Sequence, residues 1–170
     1  CEAPARTRST VLIEPMGLDD SNTMDVYYAV FNDSIRQARA EGLESVISAA
    51  ETNPIFVDNT EAGPWCHRLH DQPGFAQAVR SLGRETYIAL LVDFRDGAFP
   101  WDKRYFSVNE LEVCNASVPL LITPGNDTTH PAGVAERLHK DAVNASITSA
   151  GRDNPDKLLE EIRKFLQENN

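Results

Sequence analysis

Val118-Pro119-Leu120-Leu121-Ile122-Thr123-Pro124-Gly125-Asn126-Asp127-Thr128-Thr129-His130-Pro131 is the run on which the fold turns. Its first six residues, Val118 to Thr123, carry the chemistry of a strand. Pro124-Gly125 ends that strand, and Val134, Ala135 and Leu138 follow at helical spacing, so the run reads as strand, turn, helix. Downstream, Ala145-Ser146-Ile147-Thr148-Ser149 reads as another strand. Asn154-Pro155 then opens a helix whose Leu158, Leu159, Ile162, Phe165 and Leu166 form one apolar stripe. Upstream, Thr10-Val11-Leu12-Ile13 is a short apolar strand stopped by Glu14-Pro15-Met16-Gly17.

Between the first two strands the period changes. Val26, Val30, Phe31, Ile35 and Ala38 recur at helical spacing until Gly42, and residues 43–50 continue as helix to Asn53-Pro54. Residues 58–64 read as a surface loop. Phe75, Ala78, Val79 and Leu82, then Tyr87, Ile88, Leu90, Leu91 and Phe94, place two more helices on either side of Gly83. The expected organisation is α/β: a first strand and turn over residues 1–19, a helical insertion over 20–112, and strand, helix, strand, helix over 113–170. Strands alternating with helices imply parallel pairing through right-handed crossovers, giving a three-stranded parallel sheet.

Composition narrows the function classes. The chain has 170 residues, 41% hydrophobic and 25% charged, enough for one core that buries about 70% of the unfolded surface. A net charge of -10 with sixteen dispersed Lys and Arg argues against nucleic acid as a partner. No apolar run approaches the roughly 20 residues that span a bilayer, so no membrane partner is expected. Three widely spaced cysteines, Cys1, Cys66 and Cys114, give no disulfide framework and suit a reducing, cytoplasmic compartment. Asn115-Ala116-Ser117, Asn126-Asp127-Thr128 and Asn144-Ala145-Ser146 match the glycosylation acceptor pattern and are read as incidental. No glycine pair forms a phosphate loop, and no cofactor is expected.

In an α/β sheet, ligands sit beyond the carboxyl ends of the strands, and a sharp bend at Gly125 would bring the Asp127 carboxylate to that edge. Two roles compete for Asp127: an acid that orients a histidine, and a turn carboxylate satisfied by helix N-terminal amides. His130, three residues on, is a candidate base or a helix-start histidine bonded to nearby backbone. Cys66-His67-Arg68-Leu69-His70-Asp71 gathers thiol, imidazole and carboxylate, but its spacing matches no standard zinc pattern and no metal is assigned. Cys1 could act as an N-terminal nucleophile, although Glu2-Ala3-Pro4-Ala5-Arg6 does not read as a strand that would carry one. Trp65, Phe99, Trp101, Tyr105 and Phe106 line an apolar pocket or simply pack.

Gly125, Asn126, Asp127 and Pro131 resemble the α/β-hydrolase family, in which the acid-bearing strand is followed by Gly-x-Asp and then by a Pro that opens a helix. Residues 8–17 are similar to that family's strand after the nucleophile helix, the helical insertion to its cap, and the last helix to its C-terminal helix. The resemblance implies a part of an α/β-hydrolase-like sheet with a cap insertion, hydrolysing an ester, amide or related bond of a small-molecule substrate. In that reading Asp127 orients the base. No Gly-x-Ser-x-Gly elbow occurs, and no histidine stands near Gly151-Arg152-Asp153-Asn154, where the family places its own. The nucleophile is therefore expected outside this chain. The alternative is a non-catalytic binding or interaction module that keeps part of the fold. The first strand, apolar throughout, expects cover on both faces and a neighbour on each side. A companion chain, a missing N-terminal half or self-association through that edge is the expected partner.

Overall fold

A computed structural model of the chain describes residues 7–101, 105–106 and 108–169. The chain divides into two compact units, one of Cys1–Thr23 with Asp102–Asn170 and the other of Met24–Trp101.

The first unit holds the sheet. Strands β1 (Thr10–Ile13), β2 (Leu120–Thr123) and β3 (Ala145–Ile147) lie parallel in the order β1-β2-β3. Register pairs Thr10 with Leu120 and Ile13 with Thr123 on one side, and Leu120 with Ala145 and Ile122 with Ile147 on the other. β2 is shorter than the apolar run because Pro119 has no N–H to donate; its carbonyl instead accepts from Thr10. β2 is buried at every position. Helix α7 (Ala132–Asp141) lays Val134, Ala135 and Leu138 on Leu120 and Ile122, with Tyr105, Val113 and Ala142 closing the same core. Tyr105 keeps its hydroxyl satisfied by donating to Asp141 at 2.7 Å.

Two further helices complete this unit. α6 (Glu110–Cys114) is only five residues long but starts with a full capping box: Asn109 accepts from the Glu112 amide and Glu112 accepts from the Asn109 amide. α8 (Pro155–Glu168) starts where Asn154-Pro155 predicts, with the Asn154 side chain accepting from the Lys157 amide at 3.2 Å. β3 stops at Ile147 because Thr148, still donating its N–H to Ile122, turns its hydroxyl to Glu161 of α8 and accepts from Ala150.

Within this chain β1 is half-buried over Thr10, Val11 and Leu12, and Ile13 is 57% exposed. Among the described residues it pairs with β2 on one side, and no strand pairs with its other edge.

The second unit comprises α1 (Met24–Glu41), α2 (Leu43–Thr52), α3 (Cys66–Asp71), α4 (Pro73–Leu82) and α5 (Arg84–Ala98), with short 3-10 turns at Phe56–Asp58 and Thr60–Ala62. α1 does not bury the valines of its stripe. Val26 and Val30 are half-buried, and the inward face is Tyr27, Tyr28, Phe31, Ile35 and Ala38. Tyr27 stacks on Phe99, and Phe31 packs against Phe56, Phe94 and Phe99. The stripe of α5 is likewise only partly used: Tyr87, Ile88 and Leu91 are buried while Leu90 and Phe94 are exposed.

The stretch read as a surface loop at 58–64 dips into the core at Ala62 and Gly63. Gly63 has φ +74, and a Cβ there would sit 2.6 Å from the Ser34 hydroxyl and 3.0 Å from that of Tyr87, two groups hydrogen-bonded to each other at 2.8 Å. Gly42 has φ +88 with open space around it. Gly63→Ala should therefore cost about 2–4 kcal/mol, from backbone strain plus overpacking, and Gly42→Ala about 1 kcal/mol, from the backbone alone. Urea unfolding of both variants checks this, and equal losses would show that the Gly63 contact is not the tight one.

Candidate functional site

Charged residues lie just past the carboxyl end of each of the three strands. Glu14 follows β1, Asn126, Asp127 and His130 follow β2, and Arg152 and Asp153 follow β3. This is the edge at which parallel sheets hold ligands.

The loop after β2 curls tightly around Asp127. Its Oδ1 accepts from the amides of Thr129 and His130 at 2.9 and 2.8 Å and from the Thr129 hydroxyl at 2.7 Å. Those bonds are a local turn motif of the kind Asp favours. The same carboxylate also meets the His130 ring: Nδ1 lies 3.0 Å from Oδ1 and 3.2 Å from Oδ2, and 3.0 Å from the Thr129 hydroxyl. One carboxylate thus accepts the bonds of its own turn and lies against the imidazole. A proton on Nδ1 satisfies the carboxylate and leaves Nε2, which has no hydrogen-bond partner among the described residues, as the basic nitrogen.

Gly125 contributes differently from the sharp bend read in the sequence. Its φ is not positive; the positive-φ glycines are Gly42, Gly63 and Gly83. What it supplies is absence of a side chain, because a Cβ would run into the carbonyl and Cβ of His130. His130 is thus packed directly on the glycine backbone, its side chain 27% exposed.

A second layer holds this loop from the β1 side. Asn22 donates to the carbonyls of Gly17 and Thr128 at 3.1 and 2.9 Å, and Arg137 of α7 donates to the Leu18 carbonyl at 2.8 Å. The Asp19 carboxyl is held below its usual range, first by the Ser21 hydroxyl and also by the amides of Ser21 and Gly133. Asp19, Ser21, Asn126, Asp127, Thr128 and the start of α7 border an open recess of about 480 Å³.

Glu14 and Arg152 are functional candidates missed by the sequence reading. Glu14 is 9% exposed and has φ 50, a left-handed backbone that costs a non-glycine residue about 1–3 kcal/mol. Its amide donates to both the carbonyl and the hydroxyl of Thr123, at 3.0 and 3.1 Å. Its carboxylate takes Arg152 in a two-point grip, Nε to Oε1 at 3.0 Å and Nη2 to Oε2. The same Nη2 lies 3.9 Å from Asp127 Oδ2. Applying the strand-end rule to all three strands, rather than to β2 alone, would have singled out both residues.

The other sequence candidates scatter. Cys66 is buried, donates its thiol to the Pro54 carbonyl at 2.9 Å, and has its pKa raised by burial. His67 and His70 both turn Nδ1 to Asp71, at 2.6 and 2.7 Å. Among the described residues no group of three His, Cys, Asp or Glu side chains is placed to hold a metal ion. Trp65 packs edge-on against Tyr87, and Trp101 against Tyr28. Cys1 lies outside the described residues. Among those residues no helix is long and apolar enough to cross a membrane.

No protein-family model matches the chain, and no curated protein matches it. Among solved structures it is similar to the crystal structure of an esterase, RhEst1 from Rhodococcus sp. ECU1013, with a TM-score of 0.42 and 11% identity, over 95% of this chain and 57% of that one. The chain thus spans little more than half the length of that esterase.

Burial opposes the charge on Asp127, but the Thr129 hydroxyl, the His130 amide and ring, and the Thr129 amide outweigh it and bring the carboxyl down to about 2. A depressed carboxyl stabilises the fold above its unfolded value near 3.8 and loses that contribution as pH falls toward 2. Solvent screening of a side chain 41% exposed reduces the contribution to about 1 kcal/mol. Asp127→Asn should therefore lower stability by that amount at pH 6, with the gap to the unsubstituted chain closing by about pH 2. Paired urea titrations across this range measure it, and a gap independent of pH would contradict the assignment.

Proposed function

We propose that Asp127 and His130 are the acid and base of a hydrolase that cleaves an ester, amide or related bond of a small molecule. The observation that carries this reading is the Asp127 carboxylate lying against His130 Nδ1 at the carboxyl end of β2, with Nε2 left as the base. Gly125, Asn126, Asp127 and Pro131 support it through their resemblance to the acid loop of α/β-hydrolases. In that family the histidine comes from a different loop; here it follows the acid by three residues, so the reading rests on geometry and not on the order of residues.

The chemistry follows from the dyad. His130 Nε2 takes the proton of a nucleophilic hydroxyl as its oxygen attacks the carbonyl carbon, and Asp127 stabilises the resulting imidazolium. The tetrahedral intermediate collapses as the imidazolium returns its proton to the leaving alcohol or amine, and water repeats the cycle on the acyl group. No Gly-x-Ser-x-Gly elbow occurs among the 170 residues, so the nucleophile in this reading comes from polypeptide beyond them.

A second reading has its own observation. Three of the bonds that Asp127 accepts come from the amides and hydroxyl of its own turn, which is what a structural carboxylate in a non-catalytic binding module would show.

Turnover of short-chain chromogenic esters by the protein in its natural full-length form separates the two. Hydrolase action predicts that His130→Gln and Asp127→Asn each lower kcat by about 10²- to 10⁴-fold with KM little changed. Activity insensitive to both substitutions removes the dyad, and no activity in the unsubstituted protein favours the binding module.

A further inference from the structure

The charges along the strand ends form a connected line. Glu14 grips Arg152, Arg152 Nη2 reaches Asp127 Oδ2 at 3.9 Å, and Asp127 holds His130 Nδ1. Each of the three strands contributes one member or more. Asp153, which accepts from Asn126 at 3.5 Å, and Asp19, which packs against Gly133 of α7, lie near this line.

Two features mark the Glu14 end as built for a purpose. Glu14 occupies a left-handed backbone although it is not glycine, and such outliers cluster at functional sites because the surrounding structure must maintain them. It is also buried, at the end of a four-residue strand, where an aliphatic side chain or glycine would be the undemanding choice. Its carboxylate is committed to Arg152, whose side chain is 62% exposed. A surface arginine whose position is imposed by a buried acid is a fixed cation, not a mobile one.

We propose that Glu14 and Arg152 are a positioning pair for the Asp127–His130 dyad: the buried Glu14 carboxylate pins the Arg152 guanidinium beside Asp127, and that cation sets how strongly Asp127 draws the proton of His130. The proposal rests on the hydrolase reading for its catalytic meaning, while the coupling itself is a property of the four side chains. Neither Glu14 nor Arg152 transfers a proton.

The arrangement makes two substitutions act with opposite sign. In Arg152→Gln the cation is gone, so Asp127 meets the imidazole without it and the Glu14 charge at the other end of the line is left uncompensated, which favours the imidazolium. In Glu14→Gln the guanidinium is released from its partner and free to move onto Asp127, where it competes with the imidazolium. A role limited to holding the fold together would move both variants in the same direction or leave the ring's titration alone.

The experiment is an NMR pH titration of the His130 ring in the unsubstituted protein, Arg152→Gln, Glu14→Gln and the double variant, with ester turnover measured on the same samples. The titration midpoint should rise by roughly half a pH unit in Arg152→Gln, fall by a similar amount in Glu14→Gln, and lie close to the starting value in the double variant. If the buried Glu14 position does not tolerate glutamine, Arg152→Gln and Arg152→Lys decide alone. The first must raise the midpoint, and the second, which keeps the charge, must restore at least half of the shift. Shifts of the same sign, or none beyond about 0.1 of a pH unit, overturn the pair. Opposite shifts with turnover indifferent to His130→Gln keep the coupling and sink the hydrolase reading; turnover that depends on His130 without those shifts sinks the pair alone.

Discussion

A single backbone amide, that of Glu14, ties the candidate site to the sheet. It donates to both the carbonyl and the hydroxyl of Thr123, a residue fully buried at the end of the central strand. That shared bond ends β1 at the level where β2 ends and holds Glu14 in its left-handed backbone. From there the Glu14 carboxylate can meet Arg152 on the far side of β2. A neutral hydrogen bond is modest in net terms, about 1 kcal/mol, but leaving the Glu14 amide or the Thr123 hydroxyl unpaired in this interior would cost more. The constraint is therefore maintained by the penalty for breaking it.

The loop after β2 is placed by comparable economy. Gly125 removes the side chain that would push His130 away, Asn22 holds the Thr128 carbonyl, and Asp127 gathers its own turn while it holds the imidazole. Few long-range side chains are involved, and each performs more than one task. The tyrosine-lined interior of the helical unit differs: the contact of Ser34 with Tyr87 is sealed by the missing side chain of Gly63.

What the sequence discloses and what it hides follow from the range of each interaction. β2, α7 and the Asn154-Pro155 start of α8 are local patterns; the two helices stand where the pattern puts them, and β2 occupies the last part of its run, Leu120–Thr123. His130 is three residues from Asp127, so their contact lies within reach of a local reading. Glu14 and Arg152 are 138 residues apart, and no periodicity or spacing connects them. α1 illustrates a different limit. The helical stripe included Val26 and Val30 with Phe31, Ile35 and Ala38; the core took the last three but replaced the valines with Tyr27 and Tyr28, whose rings bury far more area for each residue. For β1, apolar composition calls for cover on both faces but cannot say which neighbour provides it, and within this chain Ile13 is exposed.

The insertion of the helical unit between β1 and β2 also sets an order of events during synthesis. Thr10 pairs with Leu120, so 110 residues, 120 less 10, must be translated before β1 meets its partner. At ribosomal speeds of about 5–20 residues per second, that is roughly 5 to 20 seconds in which β1 waits for β2. Residues 24–101, a compact unit with their own interior, emerge whole within that interval. Within these residues the pairing of β1 with β2 thus follows the emergence of the helical unit, and β1 waits longer for β2 than β2 waits for β3.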